Sequence, residues 1–204
     1  MDVDAANERL QVIRTLMERS AIYRRALSPI MIYLGLLGIA SCVIGALGGI
    51  DSPLSFGIFW MSVGLIGILG AYFLARRQAF KDHEPFWSPP TKRVTQAVLP
   101  PLFGGAVLGW ILILAFGGHG AISWVLPVSW ILLYGCALHA AGFFTPRGIR
   151  LLGWLFIMGG ASLTLSSLAV EAKLPFITSH MLMGVFFGGL QLAYGVYVHF
   201  TAPA

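Results

Sequence analysis

Histidines, cysteines and carboxylates carry most of the chemistry open to this chain: five His, two Cys and eight Asp or Glu. Cys42 and Cys136 stand far apart, without the CxxC spacing of a redox or metal motif. There is no Gly-rich phosphate loop, no HExxH and no serine elbow. Two constellations remain. Asp51, His119, Glu171 and His180 combine two imidazoles with two carboxylates, a donor set that suits a divalent metal such as zinc. His139 and His199 are the second pair, suited in type to the two axial positions of a haem b. Whether either set can assemble depends on the elements that carry it.

Those elements belong in a membrane. The 204 residues are 57% hydrophobic and 10% charged, with a mean hydropathy of +0.82. A soluble domain carries about 25% charged residues. The charges are also segregated: residues 26–50, 53–75, 97–118, 121–144, 151–170 and 175–200 hold no Asp, Glu, Lys or Arg. About 20 apolar residues span a hydrocarbon core of roughly 30 Å as a helix. Membrane strands would need about 10 residues of alternating polarity, which runs such as GLIGILGAYFLA do not show. The expectation is an all-α bundle of six transmembrane helices over 26–204, preceded by a short segment, 1–25. That segment contains two Asp and two Glu and no convincing cleavage site, so the first helix is expected to remain as an anchor.

Basic residues set the orientation. Arg9, Arg14, Arg19, Arg24 and Arg25 precede the first predicted helix. Arg76, Arg77, Lys81, Lys92 and Arg93 separate the second from the third, and Arg147 and Arg150 the fourth from the fifth. These connections share one side, and Lys173 alone falls on the other. Positively charged loops stay in the cytoplasm, which places both termini there. Depth then tests the histidines. At 1.5 Å per residue, His139 lies about 10 Å to the inner side of the midplane and His180 about 11 Å to the outer side. They cannot share one haem. His199 lies closer to the depth of His139, but at the headgroups, a wet place for such a cofactor. A histidine bonded to a neighbouring helix is the commoner arrangement.

The inner surface is expected to carry the readout. As a helix, Leu10 to Leu27 collects Leu10, Ile13, Leu16, Met17, Ala21, Tyr23 and Leu27 on one broad arc, with Arg14, Glu18 and Arg25 outside it, although Arg24 falls inside the arc and Ile22 on the polar face. Such a basic amphipathic helix lies in the headgroup layer. The link RRQAFKDHEPFWSPPTKR, Arg76 to Arg93, adds Phe86 and Trp87, whose bodies suit a membrane interface. Its three prolines argue against a continuous helix. Together Arg14, Arg19, Arg24, Arg25, Phe86 and Trp87 would form a face for anionic lipid or a cytoplasmic protein partner. Nothing points to nucleic acid.

LMERSAIYRRALS, Leu16 to Ser28, resembles the N-terminal signature of a family of small bacterial inner-membrane proteins without an established activity. The matching positions are Met17, Glu18, Arg19, Ser20, Tyr23, Leu27 and Ser28; GIRLLGW and FGGLQLAYG are similar to later segments of that family. The resemblance implies six helices in a bacterial inner membrane and supplies no catalytic residue.

Inside the predicted spans there is no carboxylate, lysine or arginine of the kind an ion-coupled transporter keeps. The 25 glycines fit close helix packing, with four-residue spacing at Gly105–Gly109 and Gly184–Gly188 and a small, polar stripe at Gly159, Ser162 and Ser166. The favoured expectation is a non-catalytic structural, sensory or regulatory component acting through a partner, compatible with a homo-oligomer. A small transporter or channel for a neutral or apolar solute, its path lined by Ser162, Thr164, Ser166 and Ser167, is the alternative. A haem- or metal-binding redox protein comes third.

Overall fold

The computed structural model describes residues 27–81, 85–116, 121–145, 147–170 and 175–201. Among them every regular element is a helix: α1 (Leu27–Leu47), α2 (Pro53–Lys81), α3 (Pro89–Phe116), α4 (Ile122–Ala141), α5 (Arg147–Val170) and α6 (Phe176–Thr201). Six helices are therefore long and apolar enough to cross a membrane. The expected amphipathic helix over 1–25 lies outside the described residues.

Local chemistry explains the starts and stops. α2 opens at Pro53, whose fixed φ suits a first helical turn, behind Ser52, whose Oγ accepts the Ser55 N–H at 3.2 Å. Ser88–Pro89 repeats the device at α3, and the Ser88 carbonyl accepts the Lys92 N–H at 3.0 Å. α1 stops at a glycine pair: Gly48 N–H closes on the Ile44 carbonyl at 2.8 Å, and Gly49 takes φ +65°, which an L side chain would resist. The link read as a loop over Arg76–Arg93 is shorter than that. α2 holds to Lys81 and α3 restarts at Pro89, because prolines that would break a helix interior are well suited to its first turn.

The helices alternate in direction, and the first packs against the last. α1 lies antiparallel to α6, since Ser28 Oγ donates to the Gly195 carbonyl at 3.0 Å while the far end of α1 meets His180. α4 and α5 run antiparallel in the longest seam, from Gly142 against Arg150 to Gly160 against Leu132. One end of the bundle, here the hairpin end, carries the short α1–α2, α3–α4 and α5–α6 connections. The other, the terminal end, carries the start of α1, the α2–α3 and α4–α5 links and the end of α6. α4 is the central element: half of its span is buried, against 11% for α2. Its residues join both parts of the core, Ile122 and Leu126 with Phe56, Trp60 and Met183 near the hairpin end, Ile131 and Leu138 with Met31, Leu152 and Phe156 towards the terminal end.

The polarity is inverted relative to a soluble fold. Leu47 and Leu114 are each 83% exposed and Phe200 81%, whereas His180 is 0% and Gln191 2% exposed. Water would penalise that surface; lipid does not.

Candidate functional site: a polar seam along α6

α6 is not one uniform helix. It is α-helical over Phe176–Met183, π-helical over Gly184–Leu190 and α-helical again over Gln191–Thr201. Wide turns of this kind occur frequently at functional positions. Eleven residues make just over three α-helical turns, so an uninterrupted helix would aim His180 and Gln191 within about 20° of the same direction. Each extra residue taken up by a wider turn rotates the remainder of the helix by about 100°. His180 faces α1 and α2, while Gln191 faces α4. Close approach to α1 accompanies the widening: a Cβ on Gly188 would stand 2.8 Å from the Ile39 backbone N, and one on Gly184 would meet Cys42 Sγ at 2.6 Å.

His180 sits at the hairpin end of this seam. Trp60 Nε1 donates to its Nδ1 at 3.1 Å, and its Nε2 lies 3.3 Å from the Ile50 carbonyl. An indole N–H only donates and a carbonyl only accepts. The ring is therefore the neutral tautomer with its proton on Nε2, and both nitrogens are engaged. Phe56 and Phe59 meet its edges with centroids at 5.0 and 5.8 Å, and Gly45 of α1 leaves the space the ring fills. One imidazole thus ties α1, α2 and α6 together.

Gln191 is the second polar group. Tyr134 of α4 donates its hydroxyl to Gln191 Oε1 at 3.2 Å, and the Tyr134 ring packs on Phe156 and Phe187, each at 5.2 Å. Elsewhere Trp130 Nε1 donates to the Gly105 carbonyl and Tyr33 Oη to the Ile66 carbonyl, both at 3.0 Å. Among the described residues, every buried side-chain nitrogen and oxygen has a hydrogen-bond partner. Unpaired polar groups cost several kcal/mol in hydrocarbon, so this satisfaction is what lets them stay.

The candidates singled out by sequence are spread over several elements. Of the four candidate metal ligands, Asp51 is exposed in the α1–α2 turn, next to the Ile50 carbonyl that His180 meets, and His180 has both nitrogens engaged. His119 and Glu171 lie outside the described residues. His139 packs edge-on against Phe143 and Trp154, at 5.3 and 5.2 Å, whereas His199 is exposed beside Phe200. Neither ring contact joins the two histidines. On α5, Thr164 bonds back to the Gly160 carbonyl and Ser166 to the Leu163 carbonyl, each at 2.9 Å, while Ser162 is exposed.

Arg14, Arg19, Arg24 and Arg25 lie outside the described residues. Phe86 and Trp87 are described and stack at 5.6 Å with their planes 13° apart. Sequence reasoning missed Trp60, Tyr134 and Gln191 as partners. Depth would have paired the first with His180: Trp60 lies seven residues into α2 and His180 four into α6, so both are within about 10 Å of the hairpin end.

No family model, curated protein or solved structure matches this chain.

Proposed function

We propose that this chain is an integral protein of a bacterial inner membrane with both termini in the cytoplasm, a non-catalytic structural, sensory or regulatory component that acts through a protein partner at its cytoplasmic face. One observation carries the reading. The buried polar side chains among the described residues all find hydrogen-bond partners within the bundle, so the chemistry left for a partner lies outside it. Exposed charge is concentrated at the terminal end, in Arg76, Arg77, Lys81, Lys92 and Arg93. That is where the positive-inside rule puts the cytoplasm.

Two measurements test it. A reporter fused after Ala204 should be active in the cytoplasm, and one inserted at His119 active outside; cytoplasmic signal from His119 would reverse the orientation. Photo-crosslinkers placed between Leu10 and Leu27 should capture a protein in native membranes. Capture of lipid alone would remove the partner.

The π-helical turn favours a second reading, a transporter or channel for a neutral or apolar solute, because interrupted helices form substrate sites near the bilayer midplane in many carriers. Uptake by vesicles reconstituted with the protein, abolished by Gln191→Leu, would promote it. A haem- or metal-binding redox role is the third, and an absorbance spectrum over about 400 to 600 nm, together with elemental analysis, decides it.

A further inference from the structure

At the terminal end, the described part of the α2–α3 link, residues 85–88, lies against the bundle. Phe86 meets the Tyr72 ring edge-on with centroids 5.3 Å apart. Tyr72 lies nine residues before Lys81, the end of α2, or about 13 Å back along the axis. Phe86 therefore lies back against the flank of α2, with Trp87 stacked on it. The last turns of α2 stand beside this aromatic layer and carry Arg76, Arg77, Phe80 and Lys81. The Arg76 guanidinium lies 5.6 Å over the Phe80 ring. Phe80 is 69% and Trp87 53% exposed, and Lys92 and Arg93 follow in the first turn of α3.

We propose that this ledge binds the headgroups of anionic phospholipids, which lie between Arg76, Arg77 and Lys81 while Trp87 and Phe80 enter the glycerol and upper acyl layer. Three features select lipid over water or protein. α2 has 29 residues, about 43 Å of helix, against a hydrocarbon core of roughly 30 Å, so its last turns lie at headgroup depth. An exposed Trp beside basic residues is the kind of side chain that settles there. The charge is complementary too: Arg76 to Arg93 holds five basic residues against Asp82 and Glu84. Each basic side chain near an anionic surface strengthens attraction by about fivefold at physiological salt. The proposal assigns to lipid a part of the basic face that the proposed function leaves open to a partner, and it needs only that the helices cross a bilayer. A failed topology reporter would leave it standing.

The test uses the full-length protein in phosphatidylcholine vesicles containing spin-labelled phosphatidylglycerol or, separately, spin-labelled phosphatidylcholine. The motionally restricted fraction should favour phosphatidylglycerol at low salt, and the preference should fall at least severalfold in the triple variant Arg76→Gln, Arg77→Gln, Lys81→Gln. Arg147→Gln with Arg150→Gln, on the other link of the same end, should retain it. Circular dichroism and the melting temperature check that each variant is folded. Brominated phosphatidylglycerol should also quench a component of tryptophan emission that Trp87→Phe removes. Equal restriction of both lipids, a preference that survives the triple variant, or a crosslinker at Trp87 that captures protein instead of lipid would each overturn the proposal.

Discussion

The seam between α1 and α6 and the seams around α2 are built on opposite terms. Along α1, a Cβ on Gly35 would stand 2.5 Å from the Leu192 backbone N, and one on Gly38 2.5 Å from the Phe187 carbonyl oxygen. α4 and α5 meet the same way: a Cβ on Gly153 would stand 2.6 Å from the His139 N, and one on Gly135 2.8 Å from the Ile157 N. The glycines of α2 meet side chains and not backbone: Gly57 and Gly70 closely, against Ile113 and the Tyr33 ring, and Gly67 and Gly64 more loosely, with Leu34 Cδ2 and the Trp130 ring both at 3.2 Å from an added Cβ. In lipid there is little hydrophobic drive to join helices, so close van der Waals contact and hydrogen bonds must hold them. Backbone-on-backbone seams supply the first and allow no adjustment. α2 relies on the second and can give.

The largest expected effect breaks that contrast directly. Gly38→Ala places a methyl against a carbonyl that cannot rotate away, and should cost about 2–3 kcal/mol, as overpacking of a filled interior does. Gly67→Ala meets only the movable methyls of Leu34 and Leu37 and gains helix propensity, so it should fall within about 0.5 kcal/mol of the parent. Unfolding of both variants in mixed detergent micelles gives the comparison. Equal losses would mean that α2 is packed as rigidly as α1.

A middle-sized effect sharpens the account of α2. Trp60→Phe keeps an aromatic body but removes the donor to His180 Nδ1, leaving a buried acceptor unmet at a cost of about 1–2 kcal/mol. The loss should be local. Amide exchange should quicken in α2 and the α1–α2 turn while the α4–α5 seam keeps its protection. Uniform quickening would show that the His180 bonds hold the whole bundle rather than one helix.

The six spans were legible because charge is excluded from stretches of about 20 residues, a constraint imposed by lipid and independent of tertiary contacts. The Ser–Pro pairs at residues 28–29, 52–53 and 88–89 carry a local signal as well, in which a proline fits the first turn of a helix. Which face meets which was not legible. Gly184 and Gly188 do pack closely, but their spacing does not name α1 as the partner. Gly105 and Gly109 have the same spacing and form no such seam: an added Cβ would meet Met61 Sδ at 2.6 Å from Gly109 and only loosely approach Leu133, at 3.7 Å, from Gly105. The π-helical turn left no periodic signal, because an apolar helix in lipid has no polar face whose slippage would reveal the offset. The pairing of His180 with Trp60 emerged from the structure because the arithmetic of depth was applied to the histidine and not to the indole.

The smallest effect tests what the offset in α6 does. If the wide turn over Gly184–Leu190 serves to present Gln191 to α4, then Tyr134 and Gln191 should be energetically coupled. Side-chain hydrogen bonds between membrane helices average about 0.6 kcal/mol in double-mutant cycles, with a maximum near ~1.7. Tyr134→Phe, Gln191→Leu and the double variant should therefore show a coupling of that order by unfolding in micelles. Tyr134→Phe keeps the ring against Phe156 and Phe187, so the cycle isolates the hydroxyl. Gly189→Ala separates two origins of the offset. Its new methyl would have only the Gly184 carbonyl near it, at 4.0 Å, so it should be tolerated sterically. If the backbone approach of Gly188 to α1 imposes the wide turn, the coupling survives this substitution. If glycine flexibility permits it, alanine draws the segment towards regular helix, Gln191 rotates off Tyr134, and the coupling falls to zero while the α1 seam loosens.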